Sequence, residues 1–260
     1  MSLPSLSIIL PTYNGSRFIA QAIDSVQKQT FPDWELIVID DGSTDDTAHI
    51  IQTYVQNDPR ITIIKQVNAG QGAARKNGIA RAQGAYIALI DDDDIWQNPL
   101  KLENQMAFLF KHPDHVLVGS AKTELIDEDG KHIAWYENPQ SDEDIRNHML
   151  LKNCFITSSV VFSKAAYEAV GGFSDMRLSE DYELWLRMGK EGKLVNVDRA
   201  DVAYRVRRSS SSASRRLKLC ANTLTLIVRN RKKYPHFLRA YTKGILRFPY
   251  YLLKQNKPSV

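Results

Sequence analysis

The sequence predicts an α/β fold: a mostly parallel sheet covered by helices on both faces, followed by a basic helical C-terminal extension. Three observations carry this. Short apolar runs alternate with helical patterns through the first hundred residues. Those runs carry apolar residues on both faces, as strands covered on both sides do. Beyond Asp201 the chain holds fifteen Lys and Arg and no Asp or Glu.

Leu6 to Leu10 reads as the first strand, broken by Pro11-Thr12-Tyr13-Asn14-Gly15. Phe18, Ala22, Ile23 and Val26 then fall at helical spacing. Trp34 to Ile39 is the second strand, ended by Asp40-Asp41-Gly42-Ser43, and Thr44 or Asp45 can cap a helix from Asp46 to Val55. Ile61 to Lys65 is a third strand, Gly70 to Ala82 a helix, and Tyr86 to Ile90 a fourth strand stopped by four aspartates, Asp91 to Asp94. A helix follows over Leu100 to Phe110. Val116 to Ala121 and Ser159 to Phe162 read as strands, with a polar, acid-rich segment between them. Ala165 to Val170 is a short helix closed by Gly171-Gly172. Glu180 to Gly189 is a helix with Leu184, Trp185 and Met188 on one side, where core packing is the expected role of Trp185. Leu194 to Val197 and Val202 to Val206 are short strands. Ser209 to Ser212 reads as a flexible loop, and from Ser214 the pattern is helical and basic. These readings divide the chain into a domain over 1–213, with halves 1–100 and 101–213, and an extension over 214–260.

Of the 260 residues, 43% are apolar and 25% charged, which is ordinary globular composition and excludes a disordered or collagenous chain. No apolar run reaches the ~18–20 residues of a membrane span. Met1-Ser2-Leu3-Pro4 lacks a basic n-region and a long apolar stretch, so no signal peptide is expected. Two cysteines, Cys154 and Cys220, make no disulfide framework. A cytoplasmic location follows as the expectation. The net charge of +4 divides into −11 over the first 201 residues and +15 over the rest. An acidic body with a basic tail suggests a polyanionic surface as the tail's partner.

In an open parallel sheet, ligands bind beyond the carboxyl ends of the strands. Three successive strand ends here carry polar groups: Thr12-Tyr13-Asn14, Asp40-Asp41, and Asp91 to Asp94. Turns favour Asp, Asn and Gly in any case. Three such turns on one rim, one with four adjacent aspartates, favour a site. Adjacent carboxylates repel unless a cation neutralises them, and oxygen-only ligands favour Mg²⁺, Mn²⁺ or Ca²⁺. On an extended chain Asp91 and Asp93 point one way, Asp92 and Asp94 the other. Mg²⁺ completes its shell with phosphate oxygens and water, so a diphosphate ligand is the natural companion. Tyr13 can stack on a base, and Asp41 can accept from a base or ribose. Gly70-Gln71-Gly72-Ala73-Ala74-Arg75 is a near miss to a dinucleotide fingerprint. The helix start reads as a phosphate-proximal turn, with Arg75 a candidate contact to the diphosphate.

Ser7 to Asn14, Val38 to Asp45, Asn68 to Gly78 and the aspartate run, in this order and spacing, resemble the family 2 glycosyltransferases of GT-A fold. Ser179-Glu180-Asp181-Tyr182-Glu183-Leu184-Trp185-Leu186 is similar to that family's acceptor-side Glu-Asp motif. The resemblance covers about residues 5–206. It implies inverting transfer of a sugar from a nucleotide-diphosphate donor, with uracil the commonest base, to an acceptor hydroxyl with Mn²⁺ or Mg²⁺. By position, Tyr13 would stack on the base and Asp41 bond to it. Pro11 and Thr12 would shape that pocket, with Asn14 beside them. Asp93 and Asp91 would serve the metal, with Asp92 near the ribose or sugar. Asp181 matches the catalytic base and Glu180 its neighbour. Where many relatives carry a His after the Tyr-Arg pair at 204–205, this chain has Arg207-Arg208, and an Arg cannot ligate a cation. The Gln-x-x-Arg-Trp motif of the family's processive polymerases is absent, which favours transfer of one sugar at a time.

The expected partners are a nucleotide-sugar donor and a glycan or lipid-linked sugar acceptor, in polysaccharide or lipopolysaccharide biosynthesis. Residues 214–260 mix cations with Leu, Ile, Phe and Tyr, which suggests peripheral contact with an anionic membrane at its inner face. No nucleic-acid-reading motif occurs. Two further readings stay open at this point: a catalytically silent sugar-nucleotide or glycan-binding module, and a sugar-phosphate nucleotidyltransferase.

Overall fold

In the computed structural model, which describes residues 4–207 and 213–254, one sheet is ordered β3-β2-β1-β4-β8-β6-β9-β5, with β7 paired to β6 beside that path. Its first half is parallel throughout. Strands β1 (Leu6–Thr12), β2 (Trp34–Asp40), β3 (Ile61–Lys65) and β4 (Tyr86–Leu89) alternate with helices α1 (Ile19–Gln27), α2 (Thr47–Asn57) and α3 (Gln71–Arg81). Side chains alternate across each strand. Ile8 and Leu10 therefore face α1 and helix α4 (Lys101–Lys111), while Ile9 faces α3 and the second half of the chain. Both faces are buried, which is why these strands lack polar alternation.

The second half pairs in both directions. Strand β8 (Val161–Ser163) runs antiparallel to β4 and to β6 (His115–Ile126). Strand β9 (Lys193–Arg205) runs parallel to β6, and the two-residue β5 (Ile95–Trp96) runs antiparallel to β9. The two short strands expected over 194–197 and 202–206 are one strand. Register shifts opposite Ser120 to Thr123 carry the polar stretch Asp198-Arg199 through the ladder. The polar segment after β6 is a hairpin to β7 (His132–Glu137). Its turn is closed by Asp127, whose Oδ1 accepts from the amides of Asp129 and Lys131, and by Gly130 at φ 83°. A short helix α5 (Asp142–His148) follows, with Ser141 as its N-cap.

Helices α6 (Lys164–Ala169) and α7 (Glu180–Met188) complete the second half. Trp185 is fully buried and meets Phe155 and Phe162 edge-on, so it is a core residue. Two further helices follow, α8 (Ala213–Asn230) and α9 (Phe237–Lys254). Leu226, Ile227, Tyr234 and Ala240 join the same core as Trp185. The Tyr234 hydroxyl donates to the Leu186 carbonyl at 3.1 Å. Arg208, the serine run at 209–212 and residues 255–260 lie outside the described residues. No described helix is long and apolar enough to cross a membrane.

Candidate active site

The carboxyl ends of β1, β2 and β4 form one rim, as parallel order requires. Pro11 and Thr12 pair with Ile39 and Asp40 in the ladder. Thr12 is buried, and its hydroxyl donates to Asp92 Oδ2 at 2.5 Å. Tyr13 is half exposed, leaving its ring face open. Asn14 takes φ 51° and joins two rim loops: its Oδ1 accepts from the Thr44 amide at 2.8 Å, and its amide donates to Ser43 Oγ at 3.0 Å. Asp41 is buried beneath the rim. Its Oδ1 accepts from Gln66 Nε2 and the Ala69 amide, and its Oδ2 from the Gly70 amide, all within 2.8 Å. Asp41 thereby fixes the loop that opens α3. A carboxylate offers about four acceptor sites, so one remains.

The four aspartates do not run extended, as the alternation assumed: Asp92 and Asp93 lie in a turn closed by the Asp94 amide donating to the Asp91 carbonyl at 3.2 Å, and each carboxylate meets its own partners. Asp94 is buried; its Oδ1 accepts from the Arg205 amide at 2.9 Å and its Oδ2 from the Ser158 hydroxyl. Burial raises its carboxyl well above the usual range, with the charges of Asp91 and Asp93 adding to it. Burial likewise raises Asp92 to about 7, and Asp93 and Asp91 push in the same direction. Asp93 is raised by burial and by Asp91, and faces Arg207 Nη1 at 3.5 Å. Asp91 accepts from Gln71 Nε2 at 3.0 Å and pairs with Arg75 Nη2 at 2.6 Å. The rim thus holds more negative charge than its cations offset.

Arg75, expected to contact a diphosphate, is instead 2% exposed beneath the rim. Its Nη2 pairs with Asp91 and its Nη1 with Glu180 Oε1 at 3.2 Å. Burial works against its charge, but Asp91, Glu180 and Asp181 together raise its pKa. The bridge joins β4 to the start of α7. Gly72 makes room for it, since a Cβ there would stand 3.2 Å from Glu180 Cγ. The chain enters α7 through Leu178 at φ 63° and Ser179 at φ 123°, a left-handed stretch that non-glycine residues rarely adopt. Asn222 of α8 holds this turn by donating to the carbonyls of Arg177 and Leu178 at 2.6 and 2.7 Å.

Asp181 follows in the first turn of α7. Its Oδ2 accepts from Thr157 Oγ1 at 2.9 Å and Asn153 Nδ2 at 3.1 Å. Among the described residues, its Oδ1 accepts no hydrogen bond. Tyr204 stands amid both groups of acids: burial raises its phenol, and Asp94, Asp91, Asp93 and Asp181 raise it further. The Arg75 bridge links the rim at Asp91 to Glu180, the residue before Asp181.

Sequence reasoning missed Asn153, Thr157, Ser158, Tyr204 and Arg205. Arg205 Nε donates to the Asp93 carbonyl and its Nη1 to the carbonyls of Asp127 and Glu128, while its guanidinium lies 4.4 Å over the Phe18 ring. The Tyr204-Arg205 pair was the one available signal for the last two of these residues.

Residues 7–171 match the family model described as glycosyl transferase family 2. The chain belongs to this family. It is 30% identical over 239 residues to the protein named as the teichuronic acid biosynthesis glycosyltransferase TuaG of Bacillus subtilis, covering 91% of this chain and 92% of the relative. It is 34% identical over 213 residues to UDP-Glc:alpha-D-GlcNAc-diphosphoundecaprenol beta-1,3-glucosyltransferase WfgD of Escherichia coli, covering 80% and 79%. Its fold is that of the GT-A enzymes. S. aureus TarS 1-349 in complex with UDP-GlcNAc superposes with a TM-score of 0.70 at 19% identity, over 94% of this chain and 73% of the other. The mannosyltransferase PcManGT from Pyrobaculum calidifontis, in complex with GDP-Man and Mn²⁺, gives 0.69 at 17% identity, over 94% and 69%. A glycosyltransferase follows, which sets aside the nucleotidyltransferase.

Proposed function

We propose that this glycosyltransferase moves a single sugar, with inversion, from a UDP-sugar to a hydroxyl of a glycan or lipid-linked acceptor. The observation that carries the reading is the Arg75 bridge, which ties the donor-side Asp91 to Glu180, the neighbour of Asp181. The WfgD name, with its UDP-glucose donor and lipid diphosphate acceptor, supports the substrate classes.

Inversion needs one in-line displacement and one base. Asp181 removes the acceptor proton through Oδ1, while Thr157 and Asn153 hold Oδ2 and fix the plane of the carboxylate. Tyr13 stacks on the base, Asp41 accepts from it, and Pro11 and Thr12 shape the pocket floor. Asp92 serves the ribose or sugar. Glu180 and Arg75 act as positioning residues. Asn14 keeps the two rim loops in register.

Asp93 and Asp91 fit a hard cation, Mn²⁺ or Mg²⁺: they offer oxygen alone, and Gln71 and Arg75 both engage Asp91 through Oδ1. Such a cation, when bound, neutralises the leaving diphosphate. Arg207 adds charge against the phosphates.

The domain over 1–213 carries this chemistry. The extension over 214–260 keeps it at the inner face of an anionic membrane. Leu238 and Leu246, both exposed on α9, and Arg239, Lys243 and Arg247 beside them support that contact. Flotation with anionic vesicles tests it; equal binding by a chain lacking the extension overturns it.

The deciding experiment is calorimetry with UDP-, TDP- and GDP-sugars, each with Mn²⁺ and with EDTA. Metal-dependent binding of UDP-sugars is expected. Absence of binding to every donor by folded protein would favour a catalytically silent glycan-binding module.

A further inference from the structure

A second cluster of ligand-type side chains lies away from this site. Strand β6 runs parallel to β4, since both are antiparallel to β8. The start of β6 therefore lies on the rim opposite the aspartates. His112 caps the C-terminus of α4, Asp114 follows in the turn, and His115 opens β6. One ligand atom from each residue lies within 4.8 Å of the others, and this is the one such His, Cys, Asp or Glu triplet among the described residues.

We propose that His112, Asp114 and His115 bind a first-row divalent transition metal, with Zn²⁺ preferred over Mg²⁺. Two imidazoles and one carboxylate form a set that suits Zn²⁺, whereas Mg²⁺ takes oxygen ligands. His115 Nδ1 and Asp114 Oδ1 stand 2.9 Å apart. Two ligands ~2.1 Å from a tetrahedral ion are ~3.4 Å apart, so this pair needs to part by only about 0.5 Å to share one. Lys193 holds the other oxygen, Oδ2, at 2.8 Å and leaves Oδ1 to the metal. The His112 ring has no hydrogen-bond partner among the described residues, and stands 5.6 Å from the His115 ring. Phe108 packs against both rings, at 4.5 and 5.1 Å, which restrains their rotation. The C-terminus of α4 adds the negative end of its dipole. A metal here joins the end of α4 to the start of β6 and, through Asp114 and Lys193, to the start of β9.

Zinc calorimetry on the full chain without nucleotide tests the site. The wild type should take one Zn²⁺ here with a Kd on the order of micromolar. Asp93→Asn, which weakens the opposite rim, should leave that affinity unchanged, as should His132→Ala. His112→Ala and His115→Ala should each weaken it at least ~10-fold. Zn²⁺ should raise the Tm of the wild type and leave the His112→Ala/His115→Ala double variant unmoved. Zinc affinity in both single variants within about twofold of wild type would overturn the proposal. So would a wild-type Kd above ~1 mM, or loss of binding in Asp93→Asn alone.

Discussion

Arg75 Nη2 stands 2.6 Å from Asp91 Oδ1, in a guanidinium that is almost wholly buried. Residues 16 apart in sequence are thereby locked, and Nη1 extends the lock to Glu180, 105 residues on. Removing one partner of a buried ion pair leaves the others charged and dry, which costs ~3–5 kcal/mol. Arg75→Met should lose about that much in urea unfolding, and its residual folded fraction should bind the UDP-sugar more weakly. Arg75→Lys keeps the charge without the fork. It should recover part of the stability while leaving kcat low, because one ammonium cannot hold both carboxylates. Full activity in Arg75→Lys would argue that charge alone suffices.

Asp181 is set for proton removal by two donors on one oxygen. Asp181→Asn keeps the shape and removes the base, so kcat should fall ~10²–10⁴-fold while UDP-sugar affinity holds. Thr157→Val removes one donor, a hydrogen bond to a charged group of about 1.5 kcal/mol. That corresponds to a loss of roughly 10-fold in kcat with donor KM unchanged. Steady-state kinetics with the donor varied separates the two. A Thr157→Val effect confined to donor KM would place Thr157 in donor binding instead.

The parallel half was legible because burial on both faces leaves β1, β2 and β4 mostly apolar, with Ser7 and Glu35 the exceptions before the rim. Strand β7 was hidden because it pairs along one side and stays largely exposed, so no apolar run marks it. Strand β5 has two residues, too few for any periodicity. The acidic rim was legible for a related reason: four adjacent carboxylates are costly without a purpose. Their partners were not. Ser158 binds Asp94 from 64 residues away, and Asn153 and Thr157 reach Asp181 from a loop and the single 3₁₀ turn, Thr157–Ser159, that follows it. Arg75 shows the limit most clearly. Its place at a helix start suggested a phosphate, but which acid a buried guanidinium meets is decided by packing across the fold.

Gly15 lies against the Thr12–Asp92 hydrogen bond. A Cβ at this position would overlap both Asp92 Oδ2 and Thr12 Oγ1. Gly15→Ala must therefore open that contact or shift the start of α1, whose Phe18 and Ile19 amides donate to the Gly15 carbonyl. Overpacking of this kind costs ~1–3 kcal/mol. Thermal unfolding should show a loss in that range, with weaker UDP-sugar binding by calorimetry. Thr12→Val breaks the same hydrogen bond without crowding. Weakened binding in both variants would assign the effect to Asp92, and weakened binding in Gly15→Ala alone would assign it to the backbone.

Lys101 is fully buried, its ammonium bonded to Gln105 Oε1 at 2.7 Å and 4.2 Å over the Trp96 ring. Burial lowers its pKa from 10.5 to about 7, although the Asp201 carboxylate works against the shift. Between these values the folded chain holds Lys101 neutral while the unfolded chain holds it protonated. The unfolded state then binds more protons, so this group's contribution to stability rises with pH from about 7 towards 10.5. The slope approaches ~1.4 kcal/mol per pH unit where the difference is a full proton. Lys101→Met removes the titration and keeps most of the volume. Its stability relative to wild type should therefore be highest near pH 7 and decline by pH 9.5. Urea unfolding of both proteins across that range measures the difference, and a difference independent of pH would mean that Lys101 keeps its proton inside the fold.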